Sequence, residues 1–174
     1  RIWRYLPAGI SKGTREYVHE AVQQGTATDA RFRAKGDLRD FPFGDGRPGE
    51  FKVTAKVQNA TFAFVPASST RGQPQWPALT QLNGELEFDR NSMRVKGATG
   101  RFSGSPGLQV RADAQIADMR TSTVTVSGEV RGPLAEQLAI VNGSPLAGMT
   151  GQVLSRATAT GNADLRLALT LPLA

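Results

Sequence analysis

The stretch Leu108-Gln109-Val110-Arg111-Ala112-Asp113-Ala114-Gln115-Ile116 alternates apolar and polar side chains throughout. A period of two places the apolar side chains on one side of an extended chain and the polar side chains on the other. This pattern predicts a β-strand whose apolar face is covered and whose polar face meets water.

The same alternation recurs on both sides of this stretch, and Phe62 and Phe64 form a short run of their own. Clusters of Gly, Pro, Asp, Asn and Ser between the runs are typical of turns. About eight strands joined mostly in sequence order favour an antiparallel meander. The further runs lie at residues 30–38, 51–57, 82–88, 93–95, 124–130 and 165–171.

Two other regions carry apolar residues at helical spacing. Residues 1–24 predict two short helices that end before Gly25, and Gly132-Pro133 opens a helix that ends at Asn142-Gly143. We therefore predict a mainly β fold, an antiparallel meander with short helices at the N-terminus and between strand groups. Its expected divisions are a helical segment (1–25), the β-meander (26–131), a helix (132–147) and the start of the next strand unit (148–174).

Composition excludes several classes of site. The 174 residues include no Cys and one His, which removes disulfide scaffolds, thiol nucleophiles and cysteine-based metal centres. The net charge of +6 is spread along the chain without interleaved aromatic residues, so nucleic-acid binding is not expected. No apolar run is long enough to cross a membrane, and the chain begins Arg1-Ile2-Trp3-Arg4, so we expect a piece of a longer protein.

The few candidates for catalysis have simple structural interpretations. His19 lies in a predicted helix without a nucleophile motif nearby, and we interpret it as a surface residue. Glu85 and Glu87 project to the same side of a strand, as a carboxylate pair of a glycosidase would, but their polar phase predicts exposed charges. We expect no enzyme activity, no catalytic residue, no metal and no cofactor.

The predicted sheet has more apolar surface than the predicted helices can cover. Eight strands of this length give roughly 950 Å² per face, and three short helices cover about half of it. The sheet either closes into a sandwich or barrel, or leaves apolar surface for a partner, a neighbouring repeat or lipid. Glycines in phase with the apolar side chains, such as Gly84 and Gly128, are typical either of bends or of floor space for an acyl chain.

Two stretches carry a family resemblance. Residues 36–43 with 49–51, and the longer stretch at 76–89, resemble the YhdP branch of the AsmA-like proteins. The resemblance implies a segment of a very large Gram-negative envelope protein, anchored in the inner membrane by an N-terminal helix absent from this segment. It also implies a long β-groove across the periplasm, implicated in phospholipid movement toward the outer membrane. With the resemblance, we expect the antiparallel sheet to be elongated and curved, with the meander at 26–131 forming an open groove. That family offers no catalytic motif.

Together, strand phase and resemblance predict a lipid-binding face. The expected partners are phospholipid acyl chains and neighbouring segments of the same long chain. The alternative is a structural or interaction module, in which the same face is a dry core without lipid contact; the sequence does not separate the two. The residues expected to contact acyl chains are Phe51, Val53, Phe62, Phe64, Leu86, Val95, Val110, Val126 and Leu167.

Overall fold

Seven antiparallel strands form one open sheet in the computed structural model, which describes residues 12–44, 46–70, 74–120, 123–149 and 151–172. The strands are ordered β1 to β7 as in the sequence, and each pairs with its sequence neighbour. Within the described chain β1 and β7 each have one neighbour, so both are edges of the sheet. The prediction of a mainly β, open antiparallel meander with short helices is confirmed.

The elements follow one another with few long connections. Short 3₁₀ turns at Leu38–Asp40, Ala67–Thr70 and Val153–Arg156 lie in the connecting loops. The helices and strands are α1 (Lys12–Ala21), β1 (Val22–Lys35), β2 (Glu50–Phe62), β3 (Leu79–Asp89), β4 (Ser92–Phe102), β5 (Ser105–Ile116), β6 (Thr123–Pro133), α2 (Leu134–Gly143), α3 (Leu146–Met149) and β7 (Asn162–Pro172).

The count of about eight strands was one too many. Phe62 is the last residue of β2 and pairs with Leu79 of β3, so the Phe62 and Phe64 run is no separate strand. At the N-terminus, α1 confirms the second predicted helix, while the first lies outside the described residues. The next strand begins at Val22, earlier than the helical spacing indicated, because Val22 pairs with Phe62.

The region after β6 follows the sequence prediction closely. Pro133 ends β6 by pairing with Asn162, and α2 then begins at Leu134. The Glu136 carboxylate accepts a hydrogen bond from the Gly107 N–H (2.9 Å), which ties α2 to the first residues of β5. The chain then returns as β7, directly beside β6. Residues 148–174 thus add a strand to the same sheet, and their role as the start of a further unit stays a prediction.

Bulges interrupt the first four strand pairings, whereas β5–β6 and β6–β7 pair without a shift. At two bulges, a side chain of the next strand accepts a hydrogen bond from a backbone N–H of the bulged strand. The Asn59 N–H donates to Asn83 Oδ1 (3.2 Å), and the Gly97 N–H donates to Asp113 Oδ1 (2.7 Å). Bulges bend a strand and increase its twist. Bending is therefore built into the β1–β5 part of the sheet.

Candidate functional site

One face of the sheet is apolar from edge to edge. Residues that pair directly across antiparallel strands point to the same side, and the register therefore joins apolar side chains of successive strands into rows. We call this side the apolar face. One row across the middle of the strands consists of Ala55, Leu86, Val95, Ala114, Val126 and Leu169.

Eight of the nine side chains expected to contact lipid lie on strands of this face. Phe51, Leu86 and Val110 are buried, with less than a tenth of their surface exposed. Leu167, on the edge strand β7, is 36% exposed. The other four are half-buried: Val53, Phe62, Val95 and Val126.

Phe64 is the exception, because it follows β2 instead of belonging to it. Its ring packs against Trp76 with centroids 5.6 Å apart, and its carbonyl accepts a hydrogen bond from the Tyr17 hydroxyl (2.9 Å). Burial raises the pKa of Tyr17 to about 12, so this hydroxyl keeps its proton at neutral pH. Phe64 therefore fastens α1 to the end of β2 and takes no part in the rows of the apolar face.

Two buried clusters lie at opposite ends of the strands. The first, cluster 1, joins Phe51, Leu86, Phe88 and Ile116 to Phe43 and Met119 from the loops. The second, cluster 2, consists of Leu108, Val110 and Val130, with Ile140 of α2 packed against it. Both clusters fill the ends of the apolar face with buried side chains. Among the longer helices, α1 contacts β1, and α2 contacts β5 and β6.

Phe43 is the centre of a plug at one end of the apolar face. Its ring is fully buried and lies so close to Gly36 and Gly49 that a Cβ at either position would overlap it. Phe41 packs edge-on against both Phe43 and Phe51, with ring centroids 6.1 Å and 4.8 Å away. Residues 36–43 and 49–51, which carry part of the family resemblance, therefore close one end of the face.

The apolar face is least covered at the sheet edges. On β7, Leu165, Leu167 and Leu169 are 46%, 36% and 44% exposed, and Phe32 of β1 is 69% exposed. Side chains on an edge strand lack neighbours on one side, which explains the difference from the buried residues of β3 and β5. The exposed leucines extend the apolar face to its open edge.

Small residues form a second row beside the first. Gly84 of β3 lies against Ala98 of β4, Ala98 pairs with Ala112 of β5, and Ala112 pairs with Gly128 of β6. Short side chains leave the face lower here than at the two clusters. Bulky side chains therefore rise from the apolar face at both ends of the strands, and a shallow depression lined by small residues lies between them.

The opposite, polar face carries ion pairs. The expectation that Glu87 is an exposed charge was wrong. Glu85 is exposed as predicted, but Glu87 is only 5% exposed. Lys96 of β4 and Lys52 of β2 approach its carboxylate to 2.9 Å and 3.2 Å, and the Arg94 guanidinium lies 3.8 Å away. The long side chains of the neighbouring strands fold over the acid and remove it from water.

No arrangement for catalysis emerges from the described residues. His19 is exposed in the last turn of α1, as predicted. Within residues 12–172, apart from the short gaps stated above, no three His, Asp or Glu side chains are placed to hold a metal ion. In the same residues, no helix is both long and apolar enough to cross a membrane.

Comparison with known proteins identifies the family. The family model described as "YhdP protein" matches residues 1–174. The chain belongs to the YhdP family. A relative in Escherichia coli (strain K12), the intermembrane phospholipid transporter YhdP, is 30% identical over an alignment of 175 residues that covers 98% of this chain and 13% of the relative. No solved structure matches the chain.

Membership of the YhdP family confirms the resemblance seen in residues 36–43, 49–51 and 76–89. The chain spans about an eighth of the length of its relative. Sequence reasoning missed Phe43, Met119 and Glu87 as buried residues. Phe43 and Met119 lie in loops without periodicity, and Glu87 has the phase of an exposed strand residue, so only the tertiary structure reveals their burial.

Proposed function

We propose that the apolar face binds the acyl chains of phospholipids, as one segment of a longer protein that moves phospholipid between the inner and outer membranes. The observation that carries the proposal is the continuity of this face across all seven strands, with exposed leucines at its β7 edge. Membership of a family whose E. coli relative is a phospholipid transporter supports the same ligand class.

The shape of the face suits a long, thin ligand. Between cluster 1 and cluster 2, the low row of Gly84, Ala98, Ala112 and Gly128 runs across the strands. An acyl chain laid along this row gains about 0.8 kcal/mol per methylene that it buries. An open face covers only one side of the acyl chain, so the free energy gained per methylene is smaller than this value for full burial. Binding of the lipid therefore stays reversible.

The proposed setting follows the family. We place the segment in the periplasm of a Gram-negative cell, in a protein held at the inner membrane by a helix outside this segment. The strand edges β1 and β7 are proposed to meet neighbouring segments of the same long chain. No catalytic step is part of the proposal, because hydrophobic transfer needs no bond to be made or broken.

A structural module without lipid contact is the second candidate. The low exposure of Phe51, Leu86 and Val110 favours it at these three positions, because they already pack against protein. In this alternative, neighbouring segments cover the remaining apolar surface and keep it dry. The two candidates differ in whether Val126 and the β7 leucines meet lipid.

An aspartate at Val126 separates the two candidates. Val126 is half-buried on the apolar face, and its neighbour Thr125 is exposed on the polar face. In a dry core, an unpaired carboxylate destabilises the fold by several kcal/mol or takes up a proton. On a lipid-binding face open to water, it keeps much of its hydration and repels acyl chains.

The measurement is crosslinking of the protein to a phospholipid with a photoreactive acyl chain, together with the melting temperature. We expect Val126→Asp to stay folded, with a modestly lower melting temperature and reduced crosslinking. Thr125→Asp, the matched control, changes neither by much. Unfolding of Val126→Asp, or crosslinking by both variants equal to that of the parent, contradicts the proposal for this strand.

A further inference from the structure

The polar face carries a depression of about 300 Å³ between β3 and β6. Within its lining, Arg111 of β5 pairs in register with Thr99 of β4 and with Glu129 of β6. Arg101 and Arg131 line the same depression from β4 and β6. This surface lies on the other side of the sheet from the apolar face, so its ligand is independent of the acyl-chain proposal.

The charge of the depression is positive. The Glu129 carboxylate is 2.8 Å from Arg131 and 4.0 Å from Arg166, so its charge is already balanced by cations. Arg131 also lies 3.5 Å from Asp164. Arg101 donates to the Pro106 carbonyl, which is a neutral acceptor. Arg111 acts on Glu129 only through longer-range electrostatic attraction, and neither Arg101 nor Arg111 forms an ion pair among the described residues. With three arginines and one glutamate in its lining, the depression keeps a net positive charge.

Several donors in the depression have no partner among the residues that the structure describes. Among the described residues, the Arg111 guanidinium makes no hydrogen bond and no ion pair. The side-chain amide of Gln109 and the hydroxyl of Thr99, both in the lining, are equally unengaged within that part of the chain. A guanidinium presents its N–H groups in a planar fork that matches two oxygens of a phosphate or carboxylate. An amide and a hydroxyl beside it add donors for a third oxygen.

We propose that this depression binds an oxyanion of the phosphate type, with Arg111 as the main ligand and Gln109 and Thr99 as supporting donors. The phosphate group belongs either to a soluble ion or to a phospholipid headgroup. The two sources share the same chemistry at Arg111. They differ in whether a membrane surface has to approach the polar face.

The test is nuclear magnetic resonance of the labelled chain during titration with inorganic phosphate at constant ionic strength. We expect the Arg111 Nε–H and the Gln109 side-chain amide to shift in a saturable manner, whereas chloride at the same ionic strength leaves them unmoved. Arg111→Gln weakens phosphate binding at least about tenfold, which corresponds to about 1.4 kcal/mol. Arg33→Gln, an equal charge change on the polar face of β1, leaves the affinity within about twofold.

A second arm distinguishes the sources. Vesicles of phosphatidylglycerol bind the parent more tightly than Arg111→Gln if the headgroup is the ligand, and they do not distinguish the two proteins if soluble phosphate is the ligand. Absence of saturable shifts with phosphate and of any Arg111-dependent vesicle binding overturns the proposal. Equal phosphate affinity in Arg111→Gln and the parent also overturns it, whatever happens on the apolar face.

Discussion

The Nζ atom of Lys96 donates a hydrogen bond of 2.9 Å to Oε2 of Glu87, a residue that is only 5% exposed on the polar face of the sheet. The hydrogen bond from Lys96 lowers the pKa of Glu87, and Lys52 acts in the same direction, while burial opposes both. The carboxylate is therefore charged at neutral pH and links β3 to both of its neighbours.

Replacing Glu87 with glutamine is expected to lower the free energy of unfolding at pH 7 by about 1–3 kcal/mol, because the charge-assisted hydrogen bonds are lost. The pKa of Glu87 is lower in the folded state, so its contribution is fully present above the unfolded pKa and is lost as the pH falls through the folded pKa. The difference between parent and Glu87→Gln should therefore shrink in acid. Denaturant unfolding at several pH values measures it.

Glu85→Gln is the matched control for Glu87→Gln, since Glu85 lies on the same strand and face but is exposed. It should change stability by less than about 0.5 kcal/mol. A stability loss in Glu87→Gln that stays constant down to acidic pH would show that packing of the residue matters and its charge does not.

Phe43 is expected to be a major contributor to stability, although it lies in a loop. Its ring is fully buried in cluster 1, so Phe43→Ala should destabilise the fold by about 3–5 kcal/mol. Phe32→Ala removes the same ring from a site that is 69% exposed, and it should cost much less. Equal losses for the two variants in thermal unfolding would contradict the role of Phe43 as a plug.

Replacing Gly84 even with alanine is expected to destabilise the fold. A Cβ at this position would lie 3.0 Å from Ala98 Cα and 3.2 Å from the Lys96 carbonyl oxygen, and backbone atoms of a paired strand cannot easily move aside. Gly84→Ala should therefore cost about 1–3 kcal/mol. At Gly143, a Cβ would meet no heavy atom within 4 Å outside the adjoining residues and the backbone of its own helix, so Gly143→Ala should change stability by less than about 1 kcal/mol in the same unfolding assay.

Much of the fold follows from local pattern. The alternation at residues 108–116 corresponds to β5, and Pro133 and Gly143 mark the limits of α2 as the sequence indicates. Strand phase also placed eight of nine candidate residues on one face. It misassigned Leu38, which is 77% exposed in a 3₁₀ turn, because the Asp37 side chain accepts a hydrogen bond from the Arg39 N–H and starts that turn.

The remaining features depend on which strands are neighbours. The alternation of apolar and polar residues along a strand predicts the same exposure for Leu86 and Leu167. Leu86 lies on β3, which has a strand on each side, and is buried, while Leu167 lies on the edge strand β7 and is exposed. Phe64 has the phase of a strand residue but follows the end of β2. Exposure of the apolar face, on which lipid access depends, is thus a property of the sheet topology.

A photocrosslinking scan along β6 tests the central claim most directly. A photoreactive amino acid is placed singly at residues 124–130, and crosslinks to phospholipid are measured in the longer protein. Binding to the apolar face predicts strong crosslinking at the half-buried Val124 and Val126 and weak crosslinking at Thr125, Ser127 and Glu129, a period of two that follows the strand register. Val130 is buried in cluster 2 and is expected to crosslink weakly. Equal crosslinking at all positions, or crosslinking in the opposite phase, would contradict the assignment of the apolar face to acyl chains.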